Sequence, residues 1–184
     1  GVTGRAMAPA GASTGAGEAK ELRDGGARLK GLGVDLAVNA VHEVIAPALI
    51  GMDINDQVGI DAAICRADGT PDKSRVGGNS TTAVSLACLW AASRQAHLPL
   101  WRYLSGSDEV GLPLPEIQIF GGGAHAGRRV DIQDFLVMPV GAQSFDEALV
   151  MVANVYHAAG KLMAAAGKLA GVADEGGWWP SFDS

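Results

Sequence analysis

Apolar residues recur at helical spacing through much of the first hundred positions. After Asp35, a candidate N-cap, Val38, Val41, Ile45 and Leu49 fall three to four apart and predict a helix, with Pro47 weakening its last turn. Asp53 is placed to cap a second helix carrying Ile54, Val58 and Cys65 on one side, and Ala67-Asp68-Gly69-Thr70-Pro71 breaks that pattern. Residues 79–96 predict a third helix. Ala83, Val84, Leu86, Ala87, Leu89 and Trp90 leave it almost no polar face, which is the pattern of a buried helix. Leu98 to Leu104 reads as a shorter apolar turn or helix. Before all of these, residues 1–33 are punctuated by glycines and read as a short strand followed by loops.

The pattern changes after Ser105-Gly106-Ser107-Asp108, a linker-like stretch taken as a domain boundary. Pro115 to Phe120 predicts a strand running into Gly121-Gly122-Gly123, and Asp134 to Met138 a second strand stopped by Pro139. Ser144 and Glu147 form an S-x-x-E capping box. Leu149, Val152, Tyr156 and Met163 follow as the apolar stripe of a long helix ended by Gly167. Val172 to Gly177 reads as a strand end passing into a loop, followed by the aromatic cluster Trp178, Trp179 and Phe182. Two strands, one helix and a strand-end acid cannot close a sheet or cover both its faces. Together with the missing initiator Met, this leads to the expectation of a chain cut at both ends.

Composition narrows the function classes. Hydrophobic residues make up 48% and charged residues 18% of the 184 positions, which places the chain among folded globular proteins. The net charge of −6, with acids and bases mixed, leaves no basic footprint for nucleic acid, so an anionic ligand has to be met by local groups or metal. No apolar run is read as a membrane span. Cys65 and Cys88 are far apart in apolar contexts and are expected as reduced core thiols of a cytosolic protein.

Four segments have the residue types for chemistry. Pro9-Ala10-Gly11-Ala12-Ser13-Thr14-Gly15 is a loop of small residues and hydroxyls able to approach a ligand closely; otherwise it is a plain flexible loop. Gly121 to Gly127 sets His125 among glycines at a strand end, where an imidazole can donate to a phosphate or exchange a proton; taken alone, a glycine-rich turn with an exposed His is the better reading. In Asp131-Ile132-Gln133-Asp134, strand alternation puts Asp131 and Gln133 on one face and Asp134 on the other unless a bulge re-aims them; the alternative is a polar strand edge. Adjacent Asp174 and Glu175 before two glycines suit a metal ligand or a general acid, or else a solvated acidic turn.

Taken together and in order, these segments carry more. GASTG with EAKELRDGG after it, IAPALIGMDINDQ, IDAAICRADGTPDKS, TTAVSLA, PLWRYL, GGGAHAG, DIQDFLVMPVGA, SFDEAL and ADEGGWWP make the chain resemble the enolases over nearly its whole length. The resemblance implies an α+β N-terminal domain over residues 1–105, without its opening strands. It implies that residues 110–184 are the first strands and long helix of an α/β barrel of the TIM type, incomplete at both ends. It implies a glycolytic, magnesium-dependent lyase that dehydrates 2-phosphoglycerate to phosphoenolpyruvate. By similarity Glu175 is the general acid, Gln133 contacts substrate, Asp134 sits by the leaving group, and His125 closes on the substrate from its loop. Ser13 is the lid serine that ligates the second of two Mg²⁺ ions, while the other magnesium ligands and the base lysine are absent from these residues. A phosphorylated hydroxy acid as partner, a homodimer in the complete protein, and a cytoplasmic location, with surface display or secretion as in some enolases, follow from the same likeness.

The sequence also departs from the family pattern. Asp134 stands where enolases usually carry glutamate, Phe120-Gly121 replaces Ile/Ile-Asn, Ala173 replaces a glycine, and Gly78 replaces an alanine. Two other readings therefore stay open: a lyase of the enolase superfamily acting on another hydroxy acid, and a non-catalytic binding fragment.

Overall fold

The computed structural model describes residues 1–11 and 14–182. It divides into two compact units, Gly1–Val110 and Gly111–Ser184.

The first unit is built from helices. Helix α1 (Asp35–Ala40) runs through a π-helical turn at Val41–Ile45 into α2 (Ala46–Leu49). Pro47 has no N–H to offer the carbonyl four residues back, and the turn before it is widened. Asp35 is not the N-cap. It is the first helical residue, and the capping carboxylate is that of Asp24, which accepts from the Asp35 and Leu36 amides at 3.1 and 2.8 Å. Helix α3 (Gln57–Asp68) is likewise capped by Asp56, which accepts from the Gly59 amide at 2.9 Å, and not by Asp53; Gly69 ends it in the left-handed region. Its buried face is Ile60, Ala63 and Ile64, while Val58 and Cys65 are exposed. The face expected through Val58 and Cys65 thus points outward, and the face through Ile60 and Ile64 meets the core.

Helices α4 (Gly78–Gln95) and α5 (Leu100–Ser105) complete the unit. Ile45, Ile60, Ile64 and Val76 form its core, with Val84 and Cys88 of α4 packed against them. Helix α4 is half-buried along most of its length, with Leu86 and Trp90 exposed, so its all-round apolar composition does not mean all-round burial. Cys88 is half-buried, and burial and then the Asp61 carboxylate push its thiol up. Both cysteines are free thiols, but only Cys88 lies against the core; Cys65 is exposed. Among the described residues this unit has no strand. The extended segment at Lys20–Leu22 instead pairs with loop and side-chain groups: the Lys20 amide with the Asp72 carbonyl at 2.7 Å, and the Leu22 amide with Asn79 Oδ1 at 3.0 Å.

One buried carboxylate organises the loop after α3. Asp68, 1% exposed, accepts from the Thr70 hydroxyl and from the amides of Thr70, Arg75 and Val76 at 2.8, 3.2 and 2.9 Å. Burial pushes the Asp68 carboxyl up, but the Thr70 hydroxyl and the Val76, Thr70 and Arg75 amides together hold it below its ordinary 3.8.

The second unit is a four-stranded sheet with one long helix. Strands β1 (Ile117–Gly121), β2 (Asp134–Val137), β3 (Leu169–Val172) and β4 (Trp178–Pro180) lie in the order β2-β1-β4-β3. β1 pairs antiparallel with β2 and parallel with β4, and β3–β4 is antiparallel. Helix α6 (Phe145–Ala165) packs on β1 and β3, and its buried residues are Ala148, Val152, Gly160 and Met163. Half of the expected capping box is in place: Ser144 accepts from the Glu147 amide at 3.1 Å, while the Glu147 carboxylate accepts from the Gln143 amide at 2.7 Å, one residue before the N-cap. By length and composition alone, α6 passes as a membrane span, with 21 residues and a mean hydropathy of 1.2, although Asp146, Glu147 and Lys161 interrupt its apolar sequence. Its buried residues face the sheet, as an amphipathic outer helix requires.

Candidate active site

Three segments of the second unit converge on one group of polar side chains. Strand β1 brings Gln118, the start of β2 brings Asp134 with Gln133 just before it, and the loop after β3 brings Asp174 and Glu175. His125 comes from a 3₁₀ turn, Gly123–Ala126.

Glycines make the approach of these segments possible. The Gly122 and Gly123 amides bond to the carbonyls of Gln133 and Val130 at 2.6 and 2.7 Å, folding the 122–133 loop back on itself. A Cβ on Gly122 would lie 2.0 Å from the Ile132 carbonyl oxygen, so no other residue fits there. Gly127 closes the 3₁₀ turn with φ +65°. The fold-back buries His125, whose side chain is 4% exposed, between two acids. Its Nδ1 lies 3.8 Å from Asp174 Oδ2 and its Nε2 3.6 Å from Glu175 Oε1. Those are ion-pair distances and too long for hydrogen bonds. An imidazole between two carboxylates can hold or pass a proton.

The second carboxylate oxygen of Glu175 accepts from Gln118 Nε2 at 3.0 Å. The same nitrogen donates to Asp134 Oδ1, and Asp134 Oδ2 accepts from Gln133 Nε2 at 3.1 Å. The Gln118 carbonyl oxygen is taken by the Gly177 amide at 2.8 Å. Glu175, Asp134, Gln133 and His125 thus belong to one connected group. A cavity of about 500 Å³ opens beside it, lined by Gln118, Asp134, Leu136, Tyr156 and Glu175 among others, a size that suits a small organic molecule. The acid loop is tied to α6: Tyr156 Oη donates to the Gly176 carbonyl at 3.0 Å, its ring stacks on Trp178 at 4.4 Å, and Trp178 Nε1 donates to the Tyr156 carbonyl at 2.7 Å.

Two sequence expectations about this region change. Gln133 and Asp134 do not point to opposite faces, because the strand begins only at Asp134 and residues 131–133 are loop. His125 is not on an exposed turn. Ser13 lies outside the described residues. Gln118 went unnoticed in the sequence, although a lone amide between Ile117 and Ile119 in an apolar strand was the available signal.

Two family models match the chain, Enolase, N-terminal domain, over residues 1–104 and Enolase, C-terminal TIM barrel domain, over residues 109–184. The chain belongs to the enolase family. Enolase 1 of Desulfitobacterium hafniense (strain Y51) is similar to it, 50% identical over 181 residues. That match takes in 98% of this chain and 41% of the relative, so the chain spans about two fifths of that enolase's length. The small open sheet with its antiparallel first pair is the start of the barrel that the family has.

The magnesium that enolases imply is not met by these residues alone. Among the described residues no group of three or more His, Cys, Asp or Glu side chains is disposed to hold a metal ion. Asp134 and Glu175 are engaged with amides, and Asp174 and Glu175 flank an imidazole. The described site is a hydrogen-bonded cluster of carboxylates and amides beside an imidazole.

Proposed function

We propose that this chain is part of a longer enolase that dehydrates 2-phosphoglycerate to phosphoenolpyruvate, with Glu175 as the general acid. The observation that carries the reading is the Glu175 carboxylate, held between the His125 imidazole at 3.6 Å and the Gln118 amide at 3.0 Å at the edge of a cavity. Hydroxide is a poor leaving group, and a positioned carboxylic acid that delivers a proton as the C–O bond breaks lowers that barrier. His125 shields and orients Glu175 from the closed glycine loop. Asp134 stands by the leaving group and Gln133 reaches the substrate from the same loop. The base that takes the carbon-bound proton lies outside the described residues. So do the ligands of the two magnesium ions, Ser13 included. A glycolytic role in the cytoplasm and a homodimer belong to the same proposal.

The test is Glu175→Gln in the complete protein, assayed by enol-phosphate absorbance. The acid is needed only as hydroxide departs, so kcat should fall by about 10²–10⁴-fold with KM little changed. Near-normal turnover would remove Glu175 from the role. Dehydration of a different hydroxy acid by the wild-type protein, with none of 2-phosphoglycerate, would move the assignment to another lyase of the superfamily.

A further inference from the structure

Gln118 sits at the centre of the cluster with both ends of its amide committed. Its oxygen accepts from the Gly177 N–H at 2.8 Å, which leaves the Nε2 protons for the carboxylates: one for Asp134 Oδ1 and one for Glu175 Oε2 at 3.0 Å. Rotating the amide by half a turn would set its oxygen against two carboxylates and its NH₂ against an N–H, losing all three bonds. The strand register explains the reach. Gln118 pairs with Leu136 and Gly121 with Asp134, so the Gln118 side chain runs along the sheet to meet Asp134 on a diagonal. Space for the amide is cleared by glycine: a Cβ on Gly177 would lie 2.5 Å from Gln118 Oε1, and one on Gly121 would lie 3.3 Å from it.

The bridge depends on combined side-chain length. Glutamine supplies two methylenes and aspartate one. Asp134 is the residue whose carboxylate reaches one methylene less than the glutamate of the family pattern. Moving one methylene from residue 118 to residue 134 preserves the sum; changing either residue alone leaves a gap or a collision. We propose that Gln118 is a positioning residue that makes good the short reach of Asp134 and, through the same nitrogen, fixes the Glu175 carboxylate beside it. This assignment rests on the dehydration reading above.

The test compares wild type, Gln118→Asn, Asp134→Glu and the double variant. In the complete protein each single change should lower kcat about tenfold with KM within about twofold, and the double variant should be clearly faster than the product of the two single effects but slower than wild type, because the bond to residue 134 is regained while those to Glu175 and Gly177 are not. A double variant as slow as the product of the two singles would overturn the proposal. So would an Asp134→Glu variant that is as fast as wild type. A second measurement needs no turnover. In the complete protein, the Gln118 side-chain NH₂ resonances, identified by their loss in Gln118→Leu, should exchange slowly with solvent in the wild type and quickly in Asp134→Glu. Free exchange in the wild type would overturn the bridge. If wild-type protein does not dehydrate 2-phosphoglycerate, the reading of the previous section fails, and the amide exchange alone decides whether Gln118 holds the two acids.

Discussion

A single carboxylate shows how much a residue can organise. Asp68 is buried, yet four donors converge on it, and those donors belong to the loop that carries Val76 into the first unit's core. Replacing Asp68 with Ala leaves the Val76, Thr70 and Arg75 amides unanswered and should cost roughly 2–4 kcal/mol in urea unfolding. The pH dependence has a defined sign. The folded carboxyl titrates below its ordinary 3.8, so its stabilisation is complete above that value and is lost as pH falls through the lower, folded pKa. The gap between wild type and Asp68→Ala should therefore be constant near neutrality and narrow only in the acid range below about pH 4. A gap unchanged down to pH 2 would refute this. Asp68 was read in the sequence merely as part of a helix-breaking stretch. Its partners follow it within eight residues, but which loop amides turn inward depends on the turn geometry and not on residue type.

At the scale of elements, local signals were legible and non-local ones were not. The Ser144 cap on the Glu147 amide was readable because donor and acceptor sit three residues apart. The end of α6 before Gly167 was readable because Gly167 takes φ +65°. Strand β4 was hidden in the aromatic cluster, since three residues become a strand only when β1 and β3 lie on either side of them. The N-cap of α3 was misplaced by three positions because Asp53 and Asp56 carry the same local signal. Packing between elements also links two of the departures from the family pattern. A Cβ on Gly121 would lie 2.4 Å from the Cβ of Ala173, so β1 and the end of β3 have room for one methyl and not two. Gly121→Ala should destabilise the second unit by about 1–3 kcal/mol, and adding Ala173→Gly should restore most of that. Thermal or urea unfolding of the four proteins checks it, and simple additivity of the two changes would count against the contact.

For the whole molecule, what the sequence conveyed best was kinship, because nine short segments in a fixed order resemble one family, and the family models bear that out over both halves. The geometry of the candidate site was less legible, since its members come from β1, a 3₁₀ turn, the start of β2 and a loop, and only the folded sheet brings them together. The described residues bring together three carboxylates, an imidazole and two amides and no assembled metal centre. This chain by itself is accordingly expected to leave 2-phosphoglycerate unchanged in the presence of Mg²⁺. Growth of enol-phosphate absorbance with the chain alone would contradict that expectation.

The tie between Tyr156 and the acid loop has a mechanical consequence. The phenol grips the carbonyl next to Glu175, and the indole that stacks on it is pinned to the helix backbone. A slide or roll of α6 along the sheet would therefore drag the peptide at 176 with it, so the acid registers motion on the outer surface of the barrel wall. Trp178, seated on that coupling, gives it an intrinsic fluorescent reporter.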